Sequence, residues 1–501
     1  GGAVKTDRLM ASALLIAGAS LGAALFILAP HGAKPSVQDE FVYLFQAKML
    51  ASGHLAYPPP PLPEFFEAAH VLVVPHYAAK YFPGHAAVLA PFVALGVPWL
   101  APSLLFGATL AALYLAGRFA QLPRWSALLA CALFIGSKEV CSTFGTYLSQ
   151  TTSVALVACA TATAAALRAR PTTARVALLF AFSGAAVLVR PFAGVALVGA
   201  SVAGLALLRP QPWQRCVVPA LVPLGLAAAL ALLACRATTS SWTQPPWLLY
   251  ARQYMPFDGP GIGPVEKATA VRRLPDHLAP LAETFRASRA AYTFARLPGE
   301  ARRRAEIVED LVPGLLVIPF VLVGVGWLPL IFAPIFAALY FGLQLTFHVA
   351  MPLYYLETCP WLVLSAAAGA VRLAEWIGRF APRRFAVVLA APLFLAGLAV
   401  GAEGSRNLSW ELERARLADA PLARYEAIFS ALRGEHAIVF LRYPRGWPAN
   451  IDLGYNEPDL RHADLIRARD LGSRNVELLA AFPGRPGYVL DLQSLALSPV
   501  H

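Results

Sequence analysis

The chain contains little charge. Only 14% of its 501 residues are Asp, Glu, Lys or Arg, whereas 58% are hydrophobic and the mean hydropathy is +0.57. Soluble domains carry about 25% charged residues, so the composition excludes an ordinary soluble protein and predicts a polytopic membrane protein. The net charge of +12 comes from short clusters between apolar runs, with no single basic patch carrying interleaved aromatics. Membrane topology therefore explains this charge better than nucleic-acid binding does.

Several functional patterns are also missing. The six cysteines form neither a disulfide framework nor a zinc-binding spacing. The glycines in residues 236–310 follow no predicted strand and open no predicted helix, so they form no nucleotide-binding fingerprint. The predicted spans are almost free of ionisable residues, which disfavours an ion or proton pathway.

Long apolar runs are what the sequence has instead. A run of about 20 residues can cross the roughly 30 Å of membrane hydrocarbon. Eleven candidates are present: 11–29, 99–117, 125–141, 150–167, 174–189, 191–208, 216–235, 311–328, 331–349, 355–371 and 385–402. The first run follows Lys5 and Arg8 as in a signal peptide, but it is longer than a typical signal core and further spans follow. It is therefore predicted to be a retained first helix.

Short basic loops predict the orientation. With eleven spans, all of them fall on the side of the N-terminus, which the positive-inside rule makes cytoplasmic. The clusters are Lys5 and Arg8; Arg118 and Arg124; Arg168, Arg170 and Arg175; Arg209 and Arg215; Arg372, Arg379, Arg383 and Arg384. This count requires that residues 81–98 do not cross, and their three prolines and two glycines suit a broken, interfacial segment.

The predicted domains follow from this topology. Residues 1–402 form a membrane domain whose outer loops are 30–98 and 236–310. Residues 403–501 form a small soluble α/β domain on the same outer side, with a helix at 406–433 and strands at 436–443 and 487–492.

The remaining ionisable residues near the spans collect at helix ends that the topology places outside. They are Lys138, Glu139, Arg190, His348 and Glu357, and Asp39 lies on the same side. A transporter needs access from both membrane faces. The one-sided pattern instead favours a catalyst or binder that works at the outer surface.

The pair Asp39 and Glu40 opens the first outer segment. Ser36 and Asp39 are close to a capping box, which gives Asp39 a purely structural interpretation. A helix that starts there also places Asp39 and Tyr43 on one face, so the carboxylate can face a cavity just above the bilayer. Three apolar residues of this helix can then lie on the membrane: Phe41, Leu44 and Phe45.

Three segments resemble one enzyme family. DEFVYLFQAKMLASG (39–53), directly after the first predicted span, resembles a DExxYxxxAxxLxxG motif of the polyprenyl-phosphate-dependent glycosyltransferases of the GT-C fold. That class contains protein O-mannosyltransferases and aminoarabinose transferases. KYFPGHAAVLAPF (80–92) resembles its K-P-P segment, and HVAMPLYYLETCPWLVL (348–364) resembles its late Tyr-Pro motif. The similarity covers roughly residues 1–400, and the tail resembles a C-terminal domain of bacterial members.

The resemblance implies an inverting transfer of a sugar from a polyprenyl-phosphate donor to a hydroxyl of a glycan, lipid or protein. The site would lie at the periplasmic face of a bacterial inner membrane, with no nucleic acid involved. Asp39 would be the general base, and Glu40 would be secondary. The donor-phosphate contacts would be Lys80, Arg190, Tyr354 and Tyr355. Interfacial anchoring is the alternative for these basic and aromatic side chains.

A second polar position and a metal are open questions at the sequence level. Relatives often carry another acidic residue before the fourth span, where this chain has Gln150, so either Glu139 takes its place or no second carboxylate is needed. The sequence establishes no cofactor, and a divalent cation bound by His76, His85 and His348 is an alternative to simple hydrogen-bonding roles. The rival functions are a transporter or flippase of lipid-linked sugars and a non-catalytic membrane scaffold.

Overall fold

The computed structural model describes residues 2–28, 33–208, 214–265, 269–314, 317–380, 424–449 and 451–500. The chain divides into two compact units. The first consists of Gly1–Ala29, Trp99–Leu230 and Ala295–Leu412, and the second of Pro30–Pro98, Ala231–Phe294 and Glu413–His501. The predicted domain boundary at residues 402 and 403 lies outside the described residues.

The chain is mostly helical. In chain order the described helices are α1 (Gly2–Leu28), α2 (Gln38–Ala51), α3 (Gly84–Ala94), α4 (Leu100–Phe119), α5 (Arg124–Ile135), α6 (Lys138–Phe144), α7 (Gln150–Ala169), α8 (Thr173–Val189), α9 (Pro191–Leu208), α10 (Gln214–Thr239), α11 (Pro246–Tyr254), α12 (Ala279–Ala291), α13 (Leu297–Glu309), α14 (Ile318–Gly324), α15 (Phe332–Gln344), α16 (Cys359–Phe380), α17 (424–431) and α18 (Asn475–Ala481).

The first unit is a helical bundle in which small residues allow close approach. A Cβ atom added at Gly107 of α4 would lie 2.1 Å from the carbonyl oxygen of Leu15 in α1, so these backbones touch. At the N-terminal end of α1, Asp7 pairs with Arg118 at 3.2 Å and with Arg124 at 3.0 Å. The start of the chain thus contacts the first basic loop, which the charge pattern places on the same side of the membrane.

Helix lengths bear on the predicted number of spans. Five described helices are long and apolar enough to cross a membrane, and the pair α5 and α6, bent by 69°, is a sixth candidate. The predicted spans at 174–189, 191–208 and 331–349 appear as the shorter apolar helices α8, α9 and α15. Within 311–328 the described α-helix is the seven-residue α14, and 385–402 lies outside the described residues. The total of eleven stays a prediction.

Residues 81–98, predicted not to cross, contain the short helix α3. Its 11 residues span about 16 Å at about 1.5 Å per residue, well short of the hydrocarbon thickness. The helix contains Pro91, whose ring cannot donate a backbone hydrogen bond. This geometry agrees with a broken segment rather than a straight span.

The second unit contains the described sheets. Strands β1 (Val71–Leu72) and β2 (Ala78–Ala79) form an antiparallel pair. Strands β3 (Ile438–Arg442), β4 (Ile466–Arg469), β5 (Gly487–Asp491) and β6 (Leu497–Pro499) form a sheet in the order β4-β3-β5-β6. β3 is parallel to both of its neighbours, and β6 is antiparallel to β5. The two strands predicted for the tail are confirmed as β3 and β5.

Helix α2 packs inside this second unit. Val42 and Phe45 are buried in one core with Ile438 and Phe440 of β3. Phe41 stacks on Tyr455 with ring centroids 5.0 Å apart. The expectation that Phe41 and Phe45 lie on the membrane is therefore wrong: Phe45 is buried in the protein, which contributes about 1.5–3 kcal/mol, and the half-buried Phe41 packs against the same core.

Candidate active site

The start of α2 separates the roles of Asp39 and Glu40. The Glu40 carboxylate accepts hydrogen bonds from the backbone N–H of Ser36 at 3.2 Å, the Ser36 hydroxyl at 2.9 Å and the backbone N–H of Val37 at 3.3 Å. Glu40 is also buried. The predicted capping box through Asp39 is therefore wrong, since Glu40 is the capping carboxylate. A secondary catalytic role for Glu40 has no support in this geometry.

Asp39 has a different environment. Its side chain is 41% exposed, and the Tyr81 hydroxyl donates a hydrogen bond to its Oδ1 atom. The Tyr81 ring stacks on Tyr43 at 4.6 Å, and the Tyr81 carbonyl accepts from the Gln46 side chain at 2.8 Å. Tyr43 thus shares a face of α2 with Asp39, as predicted, and that face holds the tyrosine that orients the carboxylate.

His70 is the second neighbour of Asp39. Its Nε2 atom lies 3.9 Å from Asp39 Oδ1, and its side chain is 12% exposed. Burial, followed by the positive charge of Lys80, lowers the pKa of His70 to about 4. The imidazole is therefore neutral at pH 7, and it brings no positive charge to the Asp39 carboxylate.

Lys80 supplies the nearby positive charge. Its ammonium lies 5.2 Å from the ring centroid of Tyr81 and 5.2 Å from that of Tyr250, a cation–π arrangement. In the part of the chain that the structure describes, no carboxylate lies within ion-pair distance of Lys80. Burial lowers the pKa of Lys80, and the charges of Asp258 and Asp39 oppose that shift. A cation held by aromatic faces keeps its hydrogen-bond donors for an anionic ligand.

Arg190, in the first unit, is held differently. It follows α8 directly, and its Nε atom lies 2.7 Å from Oε1 of the fully buried Glu357. It also donates to the Ser149 hydroxyl at 3.4 Å and lies over the Tyr354 ring at 5.9 Å. Arg190 therefore has a buried carboxylate partner within the first unit. Glu357, which lies 167 positions later in the chain, pairs with it.

The two predicted tyrosine contacts also belong to networks of the first unit. The Tyr340 hydroxyl donates to Glu357 at 2.9 Å, and the Gln344 amide donates to the Tyr354 carbonyl at 3.0 Å. Tyr355 is buried, and its hydroxyl accepts from the fully buried Arg304 at 3.2 Å. Tyr355 thus lies in a buried network and the Tyr354 ring lies beside Arg190, and the donor-phosphate contacts of both tyrosines stay predictions.

The two predicted candidates for a second polar position lie in the first unit. Glu139 lies half-buried in the first turn of α6, and Gln150 is buried at the start of α7. Both belong to the first unit, so the idea that either supplements Asp39 stays a prediction.

The metal alternative gains no support. Within the described ranges, no group of three or more His, Cys, Asp or Glu side chains is arranged to hold a metal ion. His76 lies 3.4 Å from the carbonyl of Thr238, His85 meets the Tyr43 ring edge-on, and His348 lies beside Phe347.

Sequence reasoning missed the residues that surround Asp39. Tyr81 was within reach, because it directly follows Lys80 in the KYFPG segment. His70 and Tyr250 carried no local signal for a role beside Asp39, since their partners lie far away in the chain.

Solved structures supply the comparison. The chain is similar to ArnT from Cupriavidus metallidurans bound to undecaprenyl phosphate, with a TM-score of 0.52 and 15% identity over 96% of this chain and 92% of that one. The apo state of the same protein gives a TM-score of 0.50 and 15% identity over 98% and 93%. A fainter likeness to the Archaeoglobus fulgidus oligosaccharyltransferase in complex with Zn and sulfate has a TM-score of 0.44 and 15% identity over 78% and 53%, and no conclusion follows from it.

The match to ArnT confirms the predicted GT-C fold. No family model matches the chain, and no curated protein sequence matches it. At 15% identity the likeness defines the fold alone.

Proposed function

We propose that this chain is a glycosyltransferase that moves a sugar from a polyprenyl-phosphate donor to an acceptor hydroxyl, with Asp39 as the general base. The observation that carries the proposal is the half-exposed Asp39 carboxylate, oriented by Tyr81, in the same unit as Lys80, whose ammonium lies over two aromatic rings. The shared fold adds support, because the solved ArnT structure holds undecaprenyl phosphate.

The chemistry proceeds by direct displacement with inversion. The acceptor hydroxyl gives its proton to Asp39 as its oxygen bonds to the anomeric carbon, while the bond from that carbon to the phosphate oxygen breaks. The products are the glycosylated acceptor and the free lipid phosphate. General-base catalysis of this kind contributes about 10²- to 10⁴-fold in rate. Tyr81 holds the carboxylate in one orientation, which keeps its basic oxygen ready for the incoming hydroxyl.

The departing phosphate needs positive charge more than it needs a proton. A preorganised cation in a site of low dielectric stabilises the developing anion. Lys80 is the donor-phosphate residue in this proposal, because aromatic rings rather than a carboxylate hold its ammonium. Arg190 already compensates the buried Glu357, so any contribution it makes to donor binding is shared with that pair.

The proposed location is a bacterial inner membrane, with the N-terminus cytoplasmic and the C-terminal domain periplasmic. The one-sided basic loops support this topology, and so does the contact of Asp7 with Arg118 and Arg124. Alkaline phosphatase fused after residue 401 or after residue 500 should be active. Activity of a cytoplasmic reporter at the same two positions would reverse the topology.

The function is tested by product release. Purified protein is incubated with a panel of undecaprenyl-phosphate-linked sugars and an envelope extract as acceptor, and freed undecaprenyl phosphate is measured. Asp39→Asn preserves size but cannot accept the proton, so release should fall about 10²-fold or more, with undecaprenyl phosphate binding near wild type. Asp276→Asn, at an exposed position of the same unit, is the matched control.

Three outcomes would contradict the proposal. Full release by Asp39→Asn would remove Asp39 as the base. Movement of the lipid-linked sugar across proteoliposomes without any release would support the flippase. Absence of both release and movement would support the non-catalytic scaffold.

A further inference from the structure

The C-terminal sheet domain holds one peptide unit of the segment that precedes β1. The Asp452 carboxylate accepts a hydrogen bond from the backbone N–H of Ala69 at 3.1 Å. The Tyr455 hydroxyl donates to the carbonyl oxygen of Ala69, also at 3.1 Å. Both polar groups of Ala69 are therefore bound by side chains almost 400 positions away in sequence, and the residue directly after Ala69 is His70.

Asp452 is built to hold its position. It is 3% exposed, and it also accepts from the Tyr443 hydroxyl at 2.9 Å and the backbone N–H of Gly454 at 2.9 Å. His277, stacked on Tyr443, lies 3.7 Å from it. Burial alone would raise the pKa of Asp452, but His277 and the backbone donors lower it below its usual value. Asp452 is therefore charged, and a hydrogen bond to a charged acceptor is stronger than one between neutral groups.

His70, which follows this anchored peptide, has a backbone conformation that needs support from its neighbours. His70 has φ of +64°, in the left-handed region that non-glycine residues seldom adopt. Its backbone N–H donates to the Tyr250 hydroxyl at 3.1 Å, and its carbonyl accepts from the backbone N–H of Lys80 at 3.0 Å. Both sides of this backbone are therefore bound, and the imidazole that it carries lies beside Asp39.

We propose that Asp452 and Tyr455 are positioning residues for the transfer reaction, because they fix Ala69 and through it set His70 against Asp39. The C-terminal domain is then part of the catalytic unit rather than an appended acceptor-binding module. The imidazole Nε2 atom lies 3.9 Å from the Asp39 carboxylate, where the ring limits the positions that the carboxylate can take before the acceptor arrives. This inference rests on the proposed function, since it requires Asp39 to be the base.

The first test does not depend on activity. Tyr455→Phe removes one hydroxyl and keeps the stacking on Phe41, so His70 should gain freedom. Diethylpyrocarbonate modification of His70, measured by mass spectrometry against the exposed His54 and His462, should rise severalfold. Tyr425→Phe is the matched control, because the Tyr425 hydroxyl donates to the Leu492 carbonyl within the same domain. Equal His70 reactivity in wild type, Tyr455→Phe and Tyr425→Phe would overturn the inference.

The second test is a double-mutant cycle on the release of undecaprenyl phosphate. Loss of one hydrogen bond should lower turnover about three- to tenfold in Tyr455→Phe, with undecaprenyl phosphate affinity unchanged. Since Tyr455 acts through His70, the double variant His70→Gln/Tyr455→Phe should be no slower than His70→Gln alone. Effects that multiply, or an equal loss in Tyr425→Phe, would show that Tyr455 does not act through His70.

The two proposals fail separately. If Asp39→Asn keeps full turnover, the proposed function is wrong, yet His70 reactivity still reports whether the C-terminal domain holds that residue. If Asp39→Asn is inactive and the turnover losses of His70→Gln and Tyr455→Phe multiply in the double variant, only the positioning role is wrong. Asp452→Asn is a second variant for the same measurements. Should it fail to fold, the result for Tyr455→Phe stands.

Discussion

Two clusters of charged side chains, one in each unit, differ in how deeply the charges are buried and in what holds them. In the first unit, Arg190 and Glu357 lie 2.7 Å apart, and the carboxylate is fully buried. In the second unit, Asp39 is 41% exposed, and Lys80 rests on two aromatic rings. A buried, matched pair belongs to the fold, because losing either ion leaves the other stranded. An exposed carboxylate and a cation held by aromatic rings form no such buried pair, so we expect them to contribute less to stability.

The largest expected effect is the loss of stability when the Arg190–Glu357 pair of the first unit is broken. Arg190→Met leaves the buried Glu357 carboxylate without its cation, which should cost about 3–5 kcal/mol in the free energy of unfolding. Denaturant unfolding in detergent measures it, and Arg190→Met/Glu357→Gln should recover more than half of the loss. Wild-type stability in Arg190→Met would mean that the pair does not hold the fold, and the contrast between the two clusters would disappear.

The second cluster should respond to pH through His70. Its folded-state pKa of about 4 lies below the ordinary value of 6.5, so the unfolded chain binds the proton first as the pH falls. Stability contributed by the neutral imidazole is therefore complete above about pH 6.5 and decreases toward pH 4. His70→Gln should abolish up to roughly 3 kcal/mol of that acid-dependent loss.

Unfolding from pH 7 to pH 4.5 measures the effect, with the exposed His54→Gln as control. Identical pH profiles for wild type and His70→Gln would show that His70 is not buried as a neutral group.

Lys80 should affect binding rather than stability. Lys80→Met removes a charged hydrogen-bond donor, so undecaprenyl phosphate should bind more weakly by about 1.5–3 kcal/mol. Unfolding should stay near wild type, because no ion pair is broken. Calorimetric titration in nanodiscs measures the affinity of Lys80→Met for undecaprenyl phosphate. Lys48→Met is the control, because Lys48 is an exposed lysine of the same unit that pairs with Glu457. Unchanged affinity in Lys80→Met would leave this lysine as an interfacial anchor.

The smallest expected effect separates Glu40 from its neighbour. Glu40→Ala removes the cap of α2 and should cost about 1 kcal/mol of stability, while the release of undecaprenyl phosphate stays within about twofold of wild type once the protein is folded. Unfolding and product release measured on one preparation decide it. A loss of turnover as deep as that of Asp39→Asn would return Glu40 to the catalytic residues.

Much of the architecture could be predicted from local patterns. The strands at 438–442 and 487–491 follow from their apolar runs, and the shortness of the helix within 81–98 agrees with the prolines and glycines of that segment. The order and spacing of three motifs along the chain are enough to predict the GT-C fold. These successes share a cause, since periodicity, turn residues and motif spacing can all be read along the chain without knowing which distant residues meet.

The partners of the charged residues could not be predicted in this way. Nothing near Arg190 indicates Glu357, and nothing near Ala69 indicates Asp452. Even within the Asp39 and Glu40 pair, the capping role was assigned to the wrong carboxylate, because both types suit a helix start and only the side-chain directions distinguish them.

By itself, then, the sequence determined that this protein lies in a membrane and that Asp39 lies at the start of a helix after the first long apolar run. Only the tertiary structure decided which charged side chains form buried pairs and which lie beside aromatic rings or solvent. The physical reason is that ion pairs and hydrogen bonds act over a few ångströms of space. Residues hundreds of positions apart become neighbours only when the chain has folded.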